Sequence, residues 1–326
     1  MHLKTHPKEL SQELIQNIDN IIKTSLQSEV PLINQISQYI INSGGKRIRP
    51  LFLLYLAGMT SKENTINSSH YHLAGIIELI HTATLLHDDV VDESEKRRGN
   101  WTANSKYGNS ASVLVGDFIY SRSFQMMVNV NQIEVMDVLS KTTNMIAEGE
   151  VLQLLNKNNP SLKSSDYFKV IEMKTAILFC ACGELVAIVN RLPLDQRITL
   201  TKISMLFGTI YQLIDDVLDY MGSKEDLGKN IGDDLKEGKM TLPVILALEK
   251  CNSDEKEMIE KAFSTNNLEF LDKIKIIIKK YNSVEKVKKQ IDQLTNELFE
   301  KLDLFPDNIY KFKIIEFITA SLKRTS

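Results

Sequence analysis

Apolar residues recur three and four positions apart through most of this chain, and no other feature constrains its fold as strongly. Residues 73–92, 166–189 and 198–219 carry the pattern over several helical turns each, while strict alternation of the strand kind is scarce and the prolines number only seven. The expectation is an all-α fold, helix after helix. Its breaks fall at the polar clusters 60–69, 156–165, 190–197 and 222–239. Ser165 reads as a helix N-cap, and Asn252 with Glu255 and Asn282 with Glu285 have capping-box spacing.

No Pro/Gly/Ser-rich linker and no fixed short repeat divides the 326 residues. One large helical domain over 1–326 is expected, with 1–30 as an N-terminal helix. A hydrophobic share of 43% with 25% charged residues is ordinary for a soluble globular protein, and a net charge of −3 gives no reason to expect nucleic acid or a membrane surface as partner. Residues 1–10 are polar and lack the apolar core of a signal peptide. The apolar run 51–59 is too short to span a bilayer, and Glu184 interrupts the run 176–189. A cytoplasmic protein without a transmembrane segment is expected. Cys180, Cys182 and Cys251 fit neither a disulfide framework nor a zinc site and read as reduced packing thiols. The Lys-rich stretch 273–301 reads as the solvated face of C-terminal helices.

Chemistry concentrates in two aspartate triplets, each following an apolar lead-in: Asp88, Asp89 and Asp92 after 76–86, and Asp215, Asp216 and Asp219 after 203–214. First and third carboxylates are four apart and stack on one helical face, where like charges oppose the helix. Burying them unpaired is costly. Two such clusters make sense if cations sit at them, and magnesium suits one or two carboxylates, waters and substrate phosphates. The plainer alternative, two solvated helix ends, accounts less well for a second triplet on a second apolar helix.

Cations accompany the carboxylates. The run Ser43-Gly44-Gly45-Lys46-Arg47-Ile48-Arg49-Pro50 places two glycines at a helix end, three cations, then a proline suited to a first turn. Backbone N–H groups there, with Lys46 and Arg49, would form an anion site. Arg97 and Arg98 follow Asp92 closely enough to reach a metal-held phosphate, or simply neutralise Glu93 and Glu95.

Together the run Gly44–Pro50, the stretch Leu85-Leu86-His87-Asp88-Asp89-Val90-Val91-Asp92 with Arg97-Arg98-Gly99, and Gln212-Leu213-Ile214-Asp215-Asp216-Val217-Leu218-Asp219 resemble the trans-polyprenyl diphosphate synthases, from about residue 30 to the C-terminus. Residues 114–120 and 146–154 look most like the bacterial octaprenyl branch of that family. The resemblance implies a single helical domain of the isoprenoid synthase type, with helices around a central substrate cavity, and a homodimer. It implies condensation of isopentenyl diphosphate with an allylic diphosphate to a long all-trans chain, C40 favoured within C35–C45, for a quinone side chain.

Roles follow residue by residue from the same resemblance. Asp88, Asp92 and Asp215 would bind Mg²⁺, with Asp89, Asp216 and Asp219 accepting from magnesium-bound water. Arg97, Lys174 and Lys229 would hold the allylic diphosphate, and Lys46, Arg49, His81 and Arg98 isopentenyl diphosphate. Thr175 and Gln212 would lie beside the developing cation, and Lys239 near the phosphates. The growing chain would run along the helix of Asp88, past the small Thr84 and Ala83, four and five residues before it, toward a floor at Phe124 or Met127. Heterolysis of an allylic C–O bond leaves concentrated negative charge, which divalent cations and Lys/Arg donors stabilise, and the site must exclude water. A shorter-chain synthase, a terpene cyclase, which takes no second substrate, and a non-catalytic partner subunit, which commonly lacks one triplet, are the competing readings.

Overall fold

A helix that is apolar on every side has to be surrounded, and one in this chain is: every residue from Pro50 to Met59 is buried in α3 (Ile48–Thr60). The apolar run 51–59 is therefore a core helix. Residues 7–97, 99–221 and 232–323 are described by this computed structural model. Against α3 pack α1 (Pro7–Ser25) and α4 (Ser68–Val91), and α2 (Pro31–Asn42) lies between α1 and α3 in the chain. A two-residue hairpin follows, β1 (Lys96–Arg97) antiparallel to β2 (Asn100–Trp101), then α5 (Ala103–Tyr107), α6 (Asn109–Val130) and α7 (Ile133–Asn156). Next come α8 (Ser164–Ile171), a π-helical turn at Glu172–Ala176, α9 (Ile177–Val189) and α10 (Leu194–Met221). The described remainder is α11 (Asp233–Lys236), α12 (Leu242–Leu248), α13 (Ser253–Thr265), a 3₁₀ turn at Leu268–Phe270, α14 (Leu271–Lys280), α15 (Ser283–Leu302) and α16 (Ile309–Leu322). The fold is all-α, as expected, and the hairpin is the only sheet among the described residues.

Contacts gather the chain into two compact units, one of Met1–Thr143, Phe179–Lys202 and Leu304–Glu316, the other of Asn144–Leu178, Ile203–Asp303 and Phe317–Ser326. In the first, α4 packs against α1, α3 and, most extensively, α6. Gly58 lets α3 meet Tyr310, whose ring carbons would lie 2.5 Å from a Cβ there. In the second, α12 packs on α8, α14 and α15. The lysines of 273–301 sit outside a face that buries Ile274, Ile277, Ile278, Val287, Ile291 and Leu298, so that stretch is a solvated amphipathic surface.

The capping box at Asn252 and Glu255 is present, with both reciprocal bonds made. Two cap expectations are corrected. Helix α8 starts at Ser164 with Lys163 as N-cap, so Ser165 lies inside its first turn. Asn282 makes no capping bond because it turns the chain from α14 into α15 in the left-handed conformation, φ 51°. An unforeseen capping box starts α4, where Asn67 pairs with His70. All three cysteines are free; Cys180 and Cys182 are buried, and burial pushes the Cys180 thiol up to about 12. No helix among the described residues is long and apolar enough to cross a membrane.

The α4–α6 contact tightens where His87 lies against Gly116, a Cβ on which would stand 2.7 Å from the His87 ring carbon Cδ2. His87 immediately precedes the first triplet. Replacing Gly116 with Ala should overpack this contact at a cost of about 1–3 kcal/mol, read as a lower thermal midpoint. An unchanged midpoint would show that the two helices separate there freely.

Candidate active site

In the first unit Asp88 and Asp89 end α4, and Asp92 is its C-cap at φ −90°. The three carboxylates are not equivalent. Asp88 and Asp92 are half-buried, whereas Asp89 is 5% exposed. Arg97 donates from Nε at 3.0 Å and from Nη2 at 2.7 Å to one Asp89 oxygen. Burial pushes the Asp89 carboxyl up, and Arg97 opposes that shift. Asn104 donates to the Asp89 carbonyl, so hairpin and α5 are wrapped back onto the helix end.

The loop before α3 borders the same region. Gly44, at φ +83°, shares a cavity of about 50 Å³ with Thr82, Asp89, Arg97, Trp101 and Tyr39. Lys46 is exposed. The Arg49 Nη1 lies 3.1 Å from the His81 Nε2, and its guanidinium stacks 4.9 Å from the Phe179 ring centroid. Arg49 and His81, assigned to one substrate from separate stretches of sequence, are thus in contact. Arg98 lies outside the described residues.

Within the second unit Asp215 is half-buried, while Asp216 and Asp219 are each 3% exposed. Tyr167 of α8 donates its hydroxyl to one Asp216 oxygen, and the Gln212 Nε2 donates to the other at 2.7 Å. Thr175 donates to the Gln212 Oε1 at 2.9 Å. A chain of hydrogen bonds therefore runs from Thr175 through Gln212 and Asp216 to Tyr167. Burial, joined by the charges of Asp234 and Asp215, pushes the Asp216 carboxyl up to about 8. Asp219 accepts from the Asp234 backbone N–H at 3.3 Å.

Thr175 and Lys174 sit on the π-helical turn, a wider turn often found at functional sites. Gly149 on α7 touches this turn: a Cβ there would stand 2.9 Å from the Met173 Cβ and 3.0 Å from the Lys174 nitrogen. Lys174 pairs with Glu150 at 2.6 Å and Lys239 with Glu237 at 2.6 Å. Lys229 lies outside the described residues. Of the residues expected along the growing chain, Ala83 and Met127 are fully buried on α4 and α6. Thr84 donates to the His81 carbonyl, and Phe124 meets Tyr120 edge-on at 5.2 Å.

Residues 30–281 match the polyprenyl synthetase family. The chain belongs to that family. Across 97% of both chains it is 40% identical to the octaprenyl diphosphate synthase of Escherichia coli K12. It is 36% identical to the all-trans-nonaprenyl-diphosphate synthase (geranyl-diphosphate specific) of Rhodobacter capsulatus, over 94% of each. The crystal structure of a Caulobacter crescentus polyprenyl synthase complexed with calcium and isoprenyl diphosphate superposes with a TM-score of 0.91 at 33% identity, covering 98% of this chain and 97% of that one.

As a polyprenyl synthetase the chain carries donors that suit a hard cation sharing its shell with phosphate. No three acidic, His or Cys side chains form a closed metal cluster among the described residues, and half-buried carboxylates are what magnesium takes alongside waters and phosphate oxygens. Tyr167 was missed from the sequence because it lies 49 residues from Asp216 with no local signal.

The Asp216 shift has a sign that can be measured. Its folded pKa lies above the unfolded 3.8, so its contribution favours folding most below about 4 and is lost as pH climbs toward about 8. In chelator, Asp216→Asn should therefore gain thermal midpoint relative to the parent as pH rises through that window. Parallel midpoint curves would show that Asp216 does not titrate there.

Proposed function

We propose that this chain is a magnesium-dependent prenyltransferase that condenses isopentenyl diphosphate with an allylic diphosphate, building a long all-trans polyprenyl diphosphate for a quinone side chain. The observation that carries the reading is the division within the triplets: Asp89 and Asp216 are buried on protein donors, while Asp88, Asp92 and Asp215 remain half-buried. Identity of 40% to an octaprenyl synthase over 97% of both chains supports it and favours C40, with C35 and C45 as neighbours. The reading takes residues 1–326 as one catalytic domain, acting as a homodimer in the cytoplasm.

Bound at Asp88, Asp92 and Asp215, magnesium would supply positive charge against the diphosphate leaving group. Arg97 and Lys174, with Lys229, would orient the allylic diphosphate and Lys239 would lie near the phosphates. Lys46, Arg49 and His81, with Arg98, would hold that of isopentenyl diphosphate. Asp89 fixes the direction in which Arg97 points, and Asp216 and Asp219 brace the helix behind Asp215. The Thr175 proton is directed at Gln212, which leaves the hydroxyl's lone pairs for the cation formed when the allylic C–O bond breaks. The isopentenyl double bond attacks that cation to form the new C–C bond, and the released diphosphate takes the proton lost as the new allylic double bond forms. Each added unit then extends past Thr84 and Ala83 toward Phe124 or Met127.

Incubating the chain alone with labelled isopentenyl diphosphate, an allylic primer and magnesium should give products eluting at C40. No isopentenyl incorporation would overturn the reading, in favour of a cyclase or a non-catalytic subunit. Asp88→Ala and Asp215→Ala should each lower turnover by about 10²-fold or more, and near-parent turnover at saturating magnesium would remove either from the metal set. Ala83→Tyr should shift products toward C15–C20 while isopentenyl consumption continues; unchanged products would move the chain's path away from Ala83.

A further inference from the structure

Three cations stand together where the loop enters α3, and one of them is turned away from the other two's task. Lys46 is exposed and Arg49 meets His81, but Arg47 is 9% exposed. Its backbone is left-handed, φ 47° and ψ 40°, at the N-cap of α3, a conformation that disfavours any residue with a Cβ. Its guanidinium donates from Nε to Asp19 of α1 at 2.9 Å, from Nη1 to Glu78 of α4 at 2.9 Å, and from Nη2 toward the Ile41 carbonyl of α2 at 3.5 Å. Burial alone would lower its pKa, yet Glu78 and Asp19 outweigh that and raise it.

Glu78 is itself 7% exposed, within a run of α4 whose neighbours from Leu73 to Ile80 are all buried. It lies three residues before His81, one turn along the same face. We propose that Arg47 is a positioning residue: by bridging Asp19 and Glu78 it holds the Lys46–Arg49 loop in register with the turn of α4 that carries His81, and so sets the isopentenyl diphosphate subsite. The inference rests on the assignment of Lys46, Arg49 and His81 to that substrate. The left-handed backbone points Arg47 inward and leaves Lys46 outward, so one strained residue separates the structural cation from its binding neighbours. Arginine is required because a planar fork reaches two carboxylates on different helices, whereas a lysine ammonium reaches one well.

Removing Arg47 or Glu78 alone would leave a buried charge unpaired, so the informative variant removes those two together and leaves the more exposed Asp19 to water: Arg47→Met with Glu78→Leu. Steady-state kinetics at saturating magnesium, each substrate varied separately, should show the apparent KM for isopentenyl diphosphate raised by about 10-fold. kcat and the allylic KM should stay within about twofold, with helical circular dichroism unchanged. Arg47→Lys, which keeps the charge and loses the fork, should raise the same KM by a smaller factor, and it decides alone if the double variant does not fold. An isopentenyl KM at the parent value, or a parallel fall in every parameter, overturns the proposal. Lys46→Ala separates the two failures. If it raises the isopentenyl KM and the Arg47 variants do not, the tether is wrong and the subsite stands. If neither raises it, the subsite assignment fails and takes the tether with it.

Discussion

A carboxylate enters a helical core only if something there donates to it or it takes up a proton, and both aspartate triplets are organised by that requirement. In the first, the solution is an ion pair: Asp89 is buried against Arg97, and holding that pair bends the chain leaving α4 back through the hairpin. Thr102 then donates to the Ser94 carbonyl and Asn104 to that of Asp89, closing the wrap. In the second, the donors are neutral. Tyr167 and Gln212 divide the two oxygens of Asp216, and the pKa pushed to about 8 shows that they do not fully offset burial beside Asp234 and Asp215. One sequence pattern is thus satisfied by two different chemistries.

Two of the lysines proposed to meet phosphate sit beside or on backbone that departs from the regular helix. Lys46 precedes a left-handed arginine, and Lys174 and Thr175 occupy a π-helical turn. Such backbone persists only when its surroundings over-determine it. Here those surroundings are visible: Asp19 and Glu78 clasp the first, and the absence of a Cβ at Gly149 admits the second.

Much of this was legible in the sequence because its signals are local. Helical periodicity gave the elements, and the capping box at Asn252 marked one start correctly. The same spacing at Asn282 misled, since a tight reversal between α14 and α15 demands a left-handed residue and cap geometry cannot coexist with it. Spacing also identified both triplets but could not rank their members, for burial of Asp89 and Asp216 depends on which helix face meets a neighbour. Tyr167 carries no local mark at all. Arg47 did leave one: an acid amid apolar residues, Glu78, needs a donor or a proton, and the run Lys46–Arg49 offers three cations.

The two ways of satisfying the central aspartate have different consequences for charge. Three carboxylates at one helix end repel one another, and this opposes both folding and each other's ionisation. Arg97 cancels one charge of the first triplet permanently, since a guanidinium does not lose its proton in the accessible range. In the second triplet, burial and the neighbouring charges of Asp234 and Asp215 push the Asp216 carboxyl up to about 8, which favours its neutral form. The half-buried carboxylates beside these centres, Asp88, Asp92 and Asp215, then face less repulsion while keeping access to water. A carboxylate backed by a rigid helix, with room for waters and phosphate oxygens in the same shell, suits magnesium. The buried aspartates of each triplet thereby lighten the charge around the side chains proposed as ligands.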